Sequence, residues 1–153
     1  MSISAALDRL AFRYPSVLVD AVTRHEPGVT IAAVKNVTVG EEFFQGHFPG
    51  LPLMPGVLMI ESLTQVATLL LLGEDQDAGA RRRVWLRGVE NAKFRRQVVP
   101  GDRLELQVTL GGWAATPPTL KTIYQYNNFG AASQIAYPFI DGEGRVRSSP
   151  AFI

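Results

Sequence analysis

The sequence predicts an α+β domain in which an antiparallel sheet wraps one long buried helix. Three observations carry this. The apolar run from Val57 to Leu72 has helical length, opens after Pro55-Gly56 and closes at Gly73. Runs rich in β-branched residues stand on both sides of it. One of these, Arg103 to Leu110, alternates cleanly, with Leu104, Leu106, Val108 and Leu110 on one face and Glu105, Gln107 and Thr109 on the other. A strand hairpin, a long helix and then several strands is the element order of an α+β fold.

The elements follow in order. Ser4 to Leu10 reads as a short helix, capped by Ser2 or Ser4 and ended by Pro15. Ser16 to Val22 and Val29 to Val39 read as the two strands of a hairpin, with a turn at His25-Glu26-Pro27-Gly28. Gly40 to Pro55 is a loop with three prolines and three glycines. The helix then runs from Val57 to Leu72, and Gly73 to Arg83 is a solvated loop. Val84 to Arg96, Arg103 to Leu110, Thr119 to Asn128 and Ser133 to Ile140 are the later strand candidates. No repeat or linker divides the chain, so residues 1–153 are expected to form a single domain.

Composition removes whole classes of function. A hydrophobic share of 46% against 19% charged residues is that of an ordinary globular protein. A net charge of +1 lacks the basic excess of a protein that grips nucleic acid. With no cysteine there is no disulfide, thiolate nucleophile or Cys-ligated metal. With only His25 and His47, a histidine-rich metal site is not expected. No signal peptide is visible, and the long apolar run is broken by Glu61, Ser62, Thr64, Gln65 and Thr68, so it reads as buried within protein. The expected setting is the cytoplasm, with no membrane attachment.

The helix carries one polar stripe. At 3.6 residues per turn, Glu61, Thr64, Gln65 and Thr68 fall on one side of an apolar cylinder. Such a stripe can face solvent or a subunit interface. It can also line a cavity where Glu61 works as an acid, because a carboxyl group among apolar side chains keeps its proton to higher pH. His47 lies upstream, in Gly46-His47-Phe48-Pro49-Gly50, where proline and glycine restrict the loop. A loop histidine is commonly a surface or hydrogen-bonding residue, but His47 and Glu61 are together the residue types of a general base and a general acid. Gly56 lies between them, at the helix N-terminus, where free N–H groups and the helix dipole favour negative charge. Base, acid and oxyanion donor suggest chemistry beside a carbonyl.

The stretch His47-Phe48-Pro49-Gly50-Leu51-Pro52-Leu53-Met54-Pro55-Gly56-Val57-Leu58-Met59-Ile60-Glu61-Ser62-Leu63-Thr64-Gln65 resembles the signature of FabZ-type 3-hydroxyacyl-[acyl-carrier-protein] dehydratases. The resemblance extends through RYPSVLVDAV, VKNVTVGEEFFQGHFPG and GVENAKFRRQVVPGDRLELQV, covering roughly Leu7 to Leu110. It implies a hot-dog fold, an antiparallel sheet around one helix. It also implies a homodimer with shared active sites, with three dimers often forming a hexamer.

By the same resemblance His47 corresponds to the catalytic histidine, and Glu61 to the catalytic glutamate given by the partner chain. Gly56 corresponds to the glycine whose N–H holds the thioester carbonyl. The implied reaction is loss of water from a (3R)-hydroxyacyl thioester to give the trans-2-enoyl thioester. The substrate is carried on the phosphopantetheine of acyl carrier protein, and no metal or redox cofactor is implied.

Candidates for the acyl tunnel are Phe48 and Phe94, with Leu58, Met59 and Ile60, all of which core packing would also explain. Gln65, one turn beyond Glu61, is a candidate to orient it or a water. Basic residues would steer the acidic carrier protein; Lys93, Arg95 and Arg96 form one such cluster and Arg81 to Arg83 a second, though charged loop residues are most often simply solvated.

The chain departs from the family in two places. Ala11-Phe12-Arg13-Tyr14-Pro15-Ser16 stands where the family reads Pro-His-Arg-Tyr-Pro-Phe. After Leu110 the resemblance fades, with Ile140-Asp141-Gly142 as a remnant of the family's turn. The competing readings are a hot-dog thioesterase, which needs no His47–Glu61 pair, a non-catalytic acyl-binding subunit, and an isomerising dehydratase of the FabA type. That last group usually carries aspartate at the acid position, so Glu61 favours simple dehydration.

Overall fold

The computed structural model describes residues 8–10, 12–73, 84–86, 88–89 and 92–110, with the backbone of Thr119–Tyr126 and Ser133–Pro138. Five strands form one antiparallel sheet in sequence order: β1 (Ala21–Glu26), β2 (Thr30–Asn36), β3 (Arg103–Thr109), β4 (Thr119–Tyr126) and β5 (Ser133–Pro138). The helix α1 (Gly56–Leu72) packs on β2 and β3. The α+β reading therefore holds, with the helix where the sequence places it to within one residue.

The register explains the packing. Directly opposed residues of an antiparallel pair point to the same face. Ile31 opposes Val108, and Ala33 opposes Leu106. All four are at most 1% exposed, and they share one cluster with Leu63, Val66, Leu69 and Leu70 of α1. The alternation read in Arg103 to Leu110 is thus a sheet face turned to the helix.

Three turns share one chemistry. In residues 26–29, 48–51 and 99–102 a proline fixes the second position, and a glycine takes the third with φ of 71°, 76° and 96°. In each the fourth N–H donates to the first carbonyl: Val29 to Glu26, Leu51 to Phe48 and Asp102 to Val99. Pro55-Gly56 is used differently, to start the helix.

Some expectations shift. The first strand starts at Ala21 rather than Ser16, and the turn falls on Pro27-Gly28, with His25 and Glu26 still in the strand. The ladder to β2 opens where Asp20 N–H donates to Val34 C=O at 2.8 Å, and residues before it have other partners. None of the described residues among 84–96 lies in a strand; Trp85 and Leu86 there are 75% and 45% exposed. Asp8 and Arg9 are helical, whereas residues 4–7 of the expected first helix lie outside the described residues. So do Arg81 to Arg83 and Ile140 to Gly142. No helix among the described residues is long and apolar enough to cross a membrane.

Candidate active site

Backbone atoms hold His47 at three points. A one-turn 3-10 helix, Glu42–Gln45, leads into it, and His47 N–H donates to Phe43 C=O at 3.0 Å. Leu53 N–H donates to His47 C=O at 2.9 Å, so the chain doubles back across the Phe48–Leu51 turn. The imidazole Nδ1 lies 2.7 Å from Leu53 C=O. A carbonyl can only accept, so Nδ1 carries the hydrogen, and in the neutral ring Nε2 keeps a free lone pair. The Phe48 ring stacks on the imidazole with centroids 4.1 Å apart, across a cis peptide.

A cleft of about 310 Å³ opens beside this ring. His47, Gly56, Met59, Phe94, Arg95 and Arg96 line it, which brings together five residues from the sequence reading with one of the helical tunnel candidates. Leu53, Met54, Gln97 and Val98 also line it and were not singled out as site residues. The signal was present in the apolar residues just before the helix. Met54 N–H donates to Val98 C=O at 2.8 Å, tying the segment before α1 to the segment before β3.

Gly56 opens α1 after Pro55, and its N–H has no hydrogen-bond partner among the described residues. Leu58 and Met59 N–H groups instead turn back to Pro55 C=O at 3.0 and 3.3 Å. An unpaired N–H at the positive end of a helix dipole, on a cleft wall, is a donor for an oxyanion. A Cβ at position 56 would lie 2.9 Å from Phe94 Cζ, so the half-exposed Phe94 ring would have to shift to admit it.

Glu61 is elsewhere. It is half-buried and does not line the cleft of its own chain. Its Oε1 accepts from Gln65 Nε2 at 2.9 Å. Gln65 is fully buried; the same Nε2 donates to Ser16 C=O at 2.7 Å, and its Oε1 accepts from Leu18 N–H at 2.9 Å. Those backbone partners fix which end of the amide is nitrogen, so the donor end must face Glu61. The rest of the stripe is internal: Thr64 and Thr68 are 8% and 5% exposed, with hydroxyls bonded to Ile60 and Thr64 carbonyls. Beyond Glu61 the stripe therefore does not face solvent.

The remaining candidates scatter. Phe48 is 49% exposed and outside the cleft lining, and Gln65 touches Glu61 but not the cleft. Leu58 and Ile60 pack partly buried against the core. Lys93, Arg95 and Arg96 are exposed, and Arg96 reaches Asp102 at 3.4 Å.

Comparison with known proteins gives the family. The FabA-like domain matches residues 10–126. The 3-hydroxyacyl-[acyl-carrier-protein] dehydratase FabZ of Myxococcus xanthus (strain DK1622) is 46% identical over 108 residues, 71% of each chain. FabZ of Wolbachia pipientis wMel is 50% identical over 109 residues, 71% of this chain and 75% of that one. FabZ of Lactobacillus helveticus (strain DPC 4571) is 49% identical over 104 residues, 68% of this chain and 69% of its own. In three dimensions, a chain of the dehydratase heterocomplex ApeI:P from Xenorhabdus doucetiae superposes with a TM-score of 0.61 over 86% of each chain, at 14% identity, which speaks for the fold alone. The chain belongs to the FabA-like family and has its hot-dog fold.

Proposed function

We propose that the protein is a 3-hydroxyacyl-[acyl-carrier-protein] dehydratase of the FabZ type, acting in fatty acid or related lipid biosynthesis in the cytoplasm. The observation that carries this reading is the cleft itself. It sets an imidazole whose Nε2 is free to accept a proton beside a helix-terminal N–H that has no partner among the described residues.

The chemistry follows from those groups. His47 Nε2 takes the proton from C2 of the (3R)-hydroxyacyl thioester. Gly56 N–H holds the negative charge that builds on the thioester oxygen. The C3–O bond breaks, and Glu61 gives its proton to the departing hydroxyl, which leaves as water. The electrons of the C2–H bond become the new C2=C3 bond of the trans-2-enoyl thioester. Exchange with solvent returns the proton from His47 and restores the one lost by Glu61. Every step is acid–base chemistry, so the reading invokes no metal or redox cofactor. The substrate arrives on the phosphopantetheine of acyl carrier protein, with Lys93, Arg95 and Arg96 at the docking surface. Phe94 borders the path of the acyl chain, Phe48 backs the imidazole, and Gln65 aims Glu61.

Because Glu61 lies outside the cleft of its own chain, the reading requires a homodimer of single-domain chains in which each site takes Glu61 from the partner. The exposure of Val57 at 70% and Leu51 at 55% supports such a contact. A trimer of these dimers is compatible with the family.

The test is incubation with a (3R)-hydroxyacyl-carrier protein and mass spectrometry of the product, beside Glu61→Gln. Loss of one water by the wild type alone is the expected result. Release of free acid would make the protein a thioesterase, and an unchanged substrate at every chain length would make it a binding subunit. The shared site has its own test. Mixed dimers of His47→Ala and Glu61→Ala subunits should regain about half of their sites, one of the two being whole, which is roughly a quarter of all sites after random exchange of equal amounts. Demonstrated exchange without recovery would exclude sharing.

A further inference from the structure

Lys35 occupies a place where a lysine is costly. It follows Ile31 and Ala33 at the two-residue period of β2 and opposes Leu104 of β3, so it lies on the sheet face turned to the helix. Leu104 is fully buried and Lys35 itself only 4% exposed. Lysine is almost never so buried without a partner. The partner is Glu41, whose Oε1 lies 3.0 Å from Lys35 Nζ, with side-chain exposures of 5% and 18%. A buried ion pair is a poor source of stability, because the desolvation of two charges offsets most of their attraction. It is a good way to hold one conformation, and its position suggests which.

Glu41 is the residue from which the His47 loop departs. The same Oε1 accepts from Thr38 N–H at 3.1 Å, and Glu41 N–H turns back to Thr38 C=O at 3.3 Å. Glu41 C=O accepts from Phe44 N–H at 3.1 Å, which begins the 3-10 turn, and Phe43 C=O then accepts from His47 N–H at 3.0 Å. Lys35 is fixed by its strand, Glu41 by Lys35, and the turn by Glu41. We infer that the Lys35–Glu41 ion pair is a positioning device for His47: it anchors the turn that sets the imidazole against the cleft, while touching no substrate. The inference rests on the dehydratase reading, since it concerns the geometry of that reading's base.

The test is the double variant Lys35→Met/Glu41→Gln. It removes both charges together and leaves no lone buried charge, and glutamine still accepts from Thr38 N–H. The protein should fold with a melting temperature near that of the wild type. Yet kcat should fall at least tenfold with KM nearly unchanged, on the scale of the roughly hundredfold cost of displacing a catalytic group by about 1 Å. Amide hydrogen exchange at Phe44 and His47 should rise while β2 and β3 stay protected. Glu41→Asp, which keeps the charge but shortens the reach, should lie between the two. Wild-type kcat together with unchanged exchange in a folded double variant would overturn the inference. A wild type that dehydrates nothing would instead overturn the dehydratase reading, and the exchange measurement would still decide whether the pair anchors the turn.

Discussion

The two proposed proton-transfer groups are held in opposite ways. His47 sits in a loop, yet backbone atoms fix it: Phe43 C=O, Leu53 N–H and Leu53 C=O. Glu61 sits on a rigid helix, yet its carboxylate is steered by one side-chain amide, that of Gln65. A loop can therefore be the more firmly specified support, because its proline, glycine and main-chain bonds leave few alternatives. A helix fixes where a side chain starts and leaves its end to be aimed by a neighbour. The first setting should be robust to substitution of nearby side chains, and the second should depend on a single residue.

The largest effects are expected where the comparison does not discriminate. His47→Ala and Glu61→Gln should each lower kcat about a thousandfold with the melting temperature held, the range of a lost acid or base. Either variant keeping near-wild-type turnover would remove that residue from the mechanism. Gly56→Ala comes next. The new methyl meets the Phe94 ring at 2.9 Å, so kcat should fall, by up to roughly tenfold, as the ring is displaced in the cleft, and Phe94→Leu should restore part of it.

Gln65→Leu should lower kcat by a similar factor, roughly tenfold. It alone among them should also lower the melting temperature, because Leu18 N–H and Ser16 C=O lose partners at about 1–3 kcal/mol for each buried group. Leu53→Val should barely change kcat, since Leu53 serves His47 through its main chain. A large loss there, or none in Gln65→Leu, would break the contrast. Charge reversal at Lys93 and Arg95 should have a small effect of another kind. KM for the carrier-protein substrate should rise severalfold at low salt, and the difference should vanish at high salt or with a small thioester.

Much of this was legible in the sequence. The alternation of Arg103 to Leu110 is a direct record of one buried face, and β3 spans Arg103–Thr109 with Leu104, Leu106 and Val108 fully buried. Pro55-Gly56 and Gly73 mark the helix because they act locally. The first strand was misplaced for a nonlocal reason. Ser16 to Leu18 has the composition of a strand, but its main-chain partner is the side chain of Gln65, 47 residues from Leu18. The polar stripe was legible as a pattern but not as an environment, since Thr64 and Thr68 satisfy their hydroxyls within the helix. The cleft walls Met54 and Val98 could not be paired from sequence, because a main-chain bond between distant segments leaves no mark on residue type. The buried charge at Lys35 was equally hidden, since a lysine in a strand is read as surface and its ion-pair partner Glu41 lies in the loop beyond.

The bond from Met54 to Val98 has a consequence for selectivity. It joins two segments of the cleft lining at 2.8 Å by main-chain atoms alone. A bond at that point opposes separation of the two segments. If the proposed acyl path runs through this cleft, the enzyme should sort acyl chains by the length the lining admits, with each methylene beyond that limit costing about 1–3 kcal/mol. Rates across a homologous series of substrates would then show a sharp edge, and the edge would move with the volume of residue 94 or 59 and not with the flexibility of the loop.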